Sequence, residues 1–214
     1  MTKISGVIIT FNEEKSIENC LKSLVGVVDE IVVIDSFSTD RTKEICNAYN
    51  VGVIQQKFLG FTDQKNFAMS KAKYDYVLSL DADEALSKQL SDEILKAKNN
   101  LEFDGYSFNR LNNYCGIWIK HSGWYPDNKI RLFNRKKAHW VGENNLHEIV
   151  ILDDPKKHKH LKGDLLHWSY NSYGEHCVKI NKYTDIAATA IANRKKKSSV
   201  FVIKAIVNPF WKFI

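Results

Sequence analysis

Leu78-Ser79-Leu80-Asp81-Ala82-Asp83-Glu84 runs an apolar segment directly into a group of carboxylates. Tyr76, Val77, Leu78 and Leu80 read as a strand buried on both faces, the pattern of the middle of a parallel sheet. Asp81 and Asp83 then stand at its carboxyl end. In an open α/β sheet that end is where strand-to-helix loops gather and leave a ligand crevice. Carboxylates one residue apart repel each other unless a cation, a proton or a partner intervenes. A divalent cation shared with a diphosphate would satisfy them. A helix-capping Asp beside a solvated one is the plainer reading of an isolated D-x-D, and the surrounding chain decides between the two.

Upstream, strand and helix patterns alternate with regular punctuation. Gly6 to Thr10 is apolar and β-branched, and Ile17, Cys20, Leu21 and Leu24 follow at helical spacing, closed by Gly26. Glu30 to Ile34 predicts a second strand ending at Asp35. Ser36-Phe-Ser-Thr-Asp leads into a helix carrying Ile45, Ala48 and Tyr49, which Asn50 to Gly52 stops before a third strand at Val53-Ile54. A helix across Asp63 to Lys73 precedes the fourth strand and its carboxylates. Strands separated by helices of this length imply βαβ units, a parallel sheet and right-handed crossovers.

Downstream of Leu95 the pattern changes. Gly105 to Cys115, Lys129 to Asn134, Lys137 to Val141, Leu146 to Leu152 and His160 to Trp168 are short, often alternating runs joined by polar turns, which predicts antiparallel additions around the sheet edge. Ser172-x-x-Glu175 has the form of a capping box. Behind it Cys177, Ile180, Thr184, Ala187 and Ile191 lay out a long amphipathic helix.

The chain has 214 residues, 44% apolar and 26% charged, enough for one domain with a real core. Its four cysteines, Cys20, Cys46, Cys115 and Cys177, form no C-x-x-C pair and suggest reduced thiols rather than a zinc knuckle or a disulfide framework. Glu13 and Glu14 follow the first apolar run, which no signal peptide tolerates, and no run reaches the ~20 apolar residues that cross a bilayer. A cytoplasmic location is expected. The net charge of +6 gathers at Lys156 to Lys162 and Arg194 to Lys197, favouring anionic partners.

Thr10-Phe-Asn-Glu, Asp35-Ser-Phe-Ser-Thr-Asp and Asp81-Ala-Asp put polar residues where three apolar strands stop. Singly each is a capping sequence; together they line one crevice. Carboxylates accept from ribose hydroxyls, and a diphosphate needs cations and donors, which gives Asp35, Lys65 and Asn66 natural tasks.

In order, Ile8-Ile-Thr-Phe-Asn-Glu, Val32-Val-Ile-Asp-Ser-Phe-Ser-Thr-Asp, Gln64-Lys-Asn-Phe-Ala and Leu78-Ser-Leu-Asp-Ala-Asp-Glu resemble the inverting family-two glycosyltransferases of the GT-A fold. Trp124-Tyr-Pro-Asp-Asn-Lys-Ile-Arg-Leu-Phe and His147-Glu148 resemble the subgroup that adds glucose-like sugars to bacterial lipopolysaccharide core. The resemblance implies an α/β, Rossmann-like, mostly parallel sheet flanked by helices, with a smaller antiparallel acceptor-side portion and C-terminal helices. It divides the chain into a domain at 1–198, with a nucleotide-binding half at 1–100, an acceptor and catalytic half at 101–170 and a helix at 171–198, and a tail at 199–214.

The same resemblance implies residue roles. Thr10, Phe11, Asn12 and Glu13 would shape a uridine pocket, Asp35 would accept from the base or ribose, and Lys65 and Asn66 would support the nucleotide from the other side. Asp83 would be a direct ligand of Mg2+ or Mn2+, a hard cation suited to oxygen ligands. Asp81 would contact ribose or the metal's water shell. His167 would return to the metal or diphosphate, or be a hydrogen-bonded core histidine. Glu148 would be the general base on the acceptor hydroxyl, with Glu143 in reserve and His147 orienting its neighbour. Trp124, Tyr125 and Arg131 would face the acceptor, although an arginine there equally pairs with a carboxylate. The donor would be a UDP-sugar, UDP-glucose first, and the acceptor a glycolipid or lipopolysaccharide core.

Two other classes compete. A sugar-phosphate nucleotidyltransferase favours a glycine-rich loop after the first strand, and Thr10-Phe-Asn-Glu-Glu has no glycine. A basic polyanion-binding module, for nucleic acid or polysaccharide, is opposed by the acidic strand ends, so no nucleic-acid partner is expected. In the tail, Val200, Phe201, Ile203, Phe210, Trp211 and Phe213 beside the basic run have the composition of an interfacial anchor at the inner membrane face. A segment for packing or self-association, cut short relative to related proteins, is the competing expectation.

Overall fold

The apolar run that follows Lys3 becomes β1 (Ile4–Thr10), the centre of the first half of the sheet. A computed structural model of the chain describes residues 1–143 and 146–193, divided into one unit, Met1–Asn171, and a second, Ser172–Ile214. After β1 come α1 (Ile17–Leu24), β2 (Glu30–Asp35), α2 (Thr42–Ala48), β3 (Gly52–Gln55), α3 (Phe61–Lys71) and β4 (Tyr76–Asp81). β5 (Glu84–Leu86), α4 (Lys88–Lys98), β6 (Gly105–Tyr114), β7 (Ile117–Ile119) and β8 (Asp127–Asn134) follow. β9 (Ala138–Glu143), β10 (Leu146–Leu152) and β11 (His158–Tyr170) complete the first unit.

Among the described residues the main sheet has nine strands in the order β3-β2-β1-β4-β8-β6-β11-β5, with β7 added to β6; β9 and β10 form a separate pair. β3, β2, β1 and β4 are parallel, as the βαβ grammar predicts. The order reverses direction at β1 and β4, which is where a crevice opens beyond the strand ends. Register lines up the polar termini: Thr10 pairs with Asp35, Asp35 with Gln55, and Ile9 with Asp81.

Alternation along the strands sends side chains to two covered faces, as period-two geometry requires. Ile4, Ile8, Leu78 and Leu80 pack with Ile17, Cys20, Leu21 and Leu24 of α1 and with Leu90 and Ile94 of α4. Val7, Val32, Ile34 and Val77 meet Ala68 and Met69 of α3 and Trp140 and Leu152 of the small sheet. All four apolar positions assigned to the first helix are buried.

Past β4 the sequence reading needs correcting. β4 is buried on both faces but parallel only to β1; its other neighbour, β8, is antiparallel. β11 runs parallel to β6, where short antiparallel excursions were expected. The intervening β7 to β10 carry the chain away and back, so it re-enters the sheet in its original direction, which local patterns do not report. α4, which no expectation above covers, is capped and amphipathic: the Ser87 hydroxyl accepts from the Leu90 N–H, and Leu90 and Ile94 face the core. β11 crosses α4 at Gly163 (φ +96°), where an added Cβ would lie 2.5 Å from the Leu90 nitrogen.

In the second unit, α5 (Tyr173–Asn193) is the long helix expected from Cys177 to Ile191. The Ser172 hydroxyl accepts from the Glu175 N–H at 3.2 Å, the first half of the capping box. The basic run from Arg194 and the tail at 199–214 lie outside the described residues. Among the described residues no helix is long and apolar enough to cross a membrane.

Gly163→Ala combines a left-handed backbone with a clash against main chain, and we expect it to cost about 2–4 kcal/mol. A urea titration monitored by circular dichroism should show the lower midpoint with an unchanged slope.

Candidate active site

Asp35 ends β2 fully buried, and the loop after it folds back to satisfy it. Phe37 takes φ +64°, costly for a bulky side chain, and this turns Ser38 so that its N–H and hydroxyl both donate to the Asp35 carboxylate. Gln55 Nε2 adds a longer bond at 3.4 Å. The β1 loop is tied to the same turn. Asn12, at φ +54°, donates its N–H to Ser38 Oγ at 2.8 Å and accepts from the Thr39 N–H on its side-chain oxygen, also at 2.8 Å. The Glu13 N–H donates to Thr42 Oγ1. Thr10 is buried, its hydroxyl without a hydrogen-bond partner among the described residues, while Phe11 is exposed beside it. The structure thus brings Thr10, Phe11, Asn12, Glu13 and Asp35 to one end of the sheet.

At the end of β4 opposite charges alternate. Lys65 of α3, buried to 1% exposure, puts Nζ 2.9 Å from both Asp81 Oδ1 and Glu148 Oε1, under the ring of Trp140. Arg131 of β8 joins Asp81 at 3.1 Å to the fully buried Glu84 at 2.7 Å. Arg110 carries the chain from Glu84 to Asp127. Burial by itself would raise the Asp81 carboxyl, but the cations of Lys65 and Arg131 outweigh it and hold it well below the ordinary carboxylate range. The same carboxylates keep the Arg131 guanidinium firmly charged despite its burial.

Two sequence expectations change here, and a third gains its partners. Arg131, placed toward an acceptor, is an interior cation serving Asp81 and Glu84, because β8 lies directly against β4. Asn66, expected to offer its amide to a nucleotide, instead clips the small sheet: it donates to the Trp140 carbonyl at 3.0 Å and accepts from the Trp140 N–H at 3.1 Å. Asp81, expected near ribose or a metal's water shell, is paired with two protein cations, Lys65 and Arg131.

Asp83 differs from Asp81. The short β5 pairs with β11, setting Glu84 opposite His167, and the Trp168 N–H donates to the Asp83 carbonyl. His167 Nε2 consequently lies 3.4 Å from Asp83 Oδ2, both groups partly exposed. A carboxylate and an imidazole at that spacing suit two ligand positions of Mn2+ or Mg2+. Among the described residues no three His, Cys, Asp or Glu side chains converge as a complete metal cage.

Trp124 and Tyr125 lie just ahead of β8. Tyr125 donates to Asp164 at 2.9 Å, and Trp124 meets Tyr114 edge to face within a group that includes Tyr170. Trp118 of β7 packs edge to face on Trp168 near the end of β11. Glu143 closes β9 and His147 lies in β10; their side chains are outside the described residues. Glu84, Arg110, Trp140 and Asn112 escaped the sequence reading. Glu84 adjoins the D-x-D motif, a signal that was available; the other three are assembled only by strand pairing.

A helix-flanked sheet with a D-x-D motif at the end of β4 and a mixed portion beyond it has its crevice where open α/β sheets bind ligands. The chain belongs to glycosyl transferase family 2, whose description it matches over residues 5–151. It is 35% identical over its whole length to an uncharacterized glycosyltransferase of Rickettsia typhi, of which it spans 76%. It is 29% identical to LpsC of Rhizobium meliloti, a lipopolysaccharide core biosynthesis glycosyltransferase, over 86% of this chain and 70% of that one. Among solved structures, S. aureus TarS in complex with UDP-GlcNAc superposes with TM-score 0.55 at 18% identity, covering 80% of this chain and 60% of the TarS fragment. Glucosyl-3-phosphoglycerate synthase from Mycobacterium tuberculosis, in complex with Mn2+, UDP and glucosyl-3-phosphoglycerate, gives 0.53 at 17%, covering 92% and 82%.

Replacing Lys65 with Met leaves Asp81 and Glu148 facing each other without their shared cation. We expect a loss of about 3–5 kcal/mol in stability. Adding Glu148→Gln should recover part of it, and chemical denaturation of the single and double variants measures the coupling.

Proposed function

We propose that this family-two enzyme transfers a hexose, glucose first, from a UDP-sugar to a lipopolysaccharide-core or other lipid-linked glycan, with inversion at the anomeric carbon. The observation that carries this reading is the open pair Asp83 and His167, 3.4 Å apart at the crevice end of β4, beside an Asp81 already balanced by protein cations. When bound there, Mn2+ or Mg2+ would supply charge stabilisation to the departing diphosphate. Asp83 and His167 would hold it, in keeping with the Mn2+ and UDP of the mycobacterial synthase complex.

The chain's own residues then divide the remaining work. Asp35 and the loops tied together by Asn12 and Ser38 offer the enclosure for uridine, with Phe11 as an exposed flat surface. Asp81 is directed toward ribose or the water around the cation. Lys65 anchors one oxygen of Glu148 at 2.9 Å, leaving the other to take the proton of the acceptor hydroxyl as it attacks. Glu143 is the reserve base. Trp124 and Tyr125 offer apolar surface to a sugar ring. The LpsC relationship supports an acceptor of lipopolysaccharide type. The exposed Lys156, Lys157, Lys159 and Lys162 around the start of β11 favour its anionic groups, and favour peripheral contact with the inner face of the membrane from the cytoplasm.

Purified protein offered a panel of UDP- and GDP-sugars, with and without Mn2+, should release nucleotide fastest from UDP-glucose and only with the metal. Preference for a GDP-sugar, or metal-independent turnover, would overturn the donor or the metal assignment. Glu148→Gln should lower kcat about 10²–10⁴-fold. Full activity in that variant moves the base to Glu143.

A further inference from the structure

The ring of His167 is held from behind as well as in front. β11 pairs His167 with Asn112 of β6, and its Nδ1 lies 2.6 Å from Asn112 Oδ1 and 3.0 Å from Ser169 Oγ. The Asn112 amide is oriented independently of the histidine: Nδ2 donates to the Trp124 carbonyl at 3.4 Å, and the Ser169 hydroxyl donates to Oδ1 at 3.2 Å. Asn112 is 7% exposed and Ser169 8%, so bulk water does not readily replace either.

An amide oxygen only accepts, so Nδ1 must carry the hydrogen, and the lone pair of the neutral ring is left on Nε2. Nε2 in turn faces Asp83 Oδ2, another acceptor, at 3.4 Å. Two lone pairs directed at one another repel unless positive charge lies between them: a second ring proton or a cation. A histidine kept only for packing would gain nothing from this arrangement. With the opposite tautomer Nε2–H would simply donate to Asp83.

We infer that Asn112 is a positioning residue that selects the Nδ1–H tautomer of His167, so that Nε2 and Asp83 together present a ligand pair to a divalent cation. This rests on the reading of Asp83 as the metal-facing carboxylate. The arrangement is that of a metal-bound imidazole whose far nitrogen donates to a fixed acceptor, a partner whose loss typically weakens metal affinity 10–100-fold. Ser169 supports the amide and is secondary, since Asn112 Oδ1 stays in place without it.

The test uses the full chain labelled with ¹⁵N-histidine, metal-free, at a pH where the ring is neutral. Long-range ¹H–¹⁵N spectra should show His167 as the Nδ1–H tautomer in the wild type and in Ser169→Ala, and a shift toward Nε2–H in Asn112→Leu. Mn2+ affinity in the presence of UDP, read from the electron paramagnetic resonance of the free ion, should fall about tenfold or more in Asn112→Leu. An Nε2–H ring in the wild type overturns the inference without recourse to any variant. So does unchanged Mn2+ affinity in a folded Asn112→Leu. If Asp83→Asn abolishes Mn2+ binding while His167→Ala does not weaken it, the inference fails and only the reading of Asp83 as the metal-facing carboxylate stands. If Asp83→Asn leaves Mn2+ binding intact, both fail.

Discussion

The interaction on which the rest depends is the neutralisation of Asp81 by Lys65 and Arg131. Carboxylates crowded at the end of a buried strand would oppose folding, because burial penalises each charge and proximity penalises the set. Two buried cations, one from α3 and one from β8, remove that opposition by alternating sign through Glu148, Lys65, Asp81, Arg131 and Glu84. The network's role is chiefly geometric. Buried ion pairs add little net stability over a well-packed apolar core, but they allow little freedom in where their members sit.

With Asp81 and Glu84 balanced by protein cations, Asp83 is left with the His167 imidazole as its neighbour. Its surroundings come from the far end of the chain: β5 is stitched to β11, and that pairing delivers His167. The nucleotide-type crevice of the first half and the mixed sheet of the second are therefore joined at the D-x-D motif itself. Trp140 covers Lys65 and Arg131 from the small sheet, and Asn66 clips its main chain to α3, so Glu148 is carried to the site by the same contacts. The chain thus joins a regular parallel half to a second half built from longer excursions, within one glycosyl transferase family 2 match over residues 5–151.

Much of the first half was legible from residue order. Ile17, Cys20, Leu21 and Leu24 read as one helix face and are buried as such, and Asp35 and Asp81 were recognisable as strand ends. Local patterns failed where a residue's partner lay far away in sequence. Arg131 reads equally well as a surface ligand-binding group or an ion-pair partner, and only the pairing of β8 with β4 decides. Asn66 sits beside Lys65 on α3, yet its amide serves β9. The parallel pairing of β6 and β11 could not be read from short alternating runs, since alternation reports which face is buried and not the direction of the neighbouring strand.

The sequence by itself determined the parallel βαβ half, the crevice at its strand ends, the long final helix and the motifs that mark the family, because these follow from periodicity, capping and the order of nearby residues. Tertiary structure alone decided which carboxylate is left open, which cations balance the others, and that His167 meets Asp83 with Asn112 behind it. The physical reason is that charge balance and tautomer choice are fixed by the nearest neighbours in space, and in this protein most of those neighbours are supplied by elements 50 or more residues away in sequence.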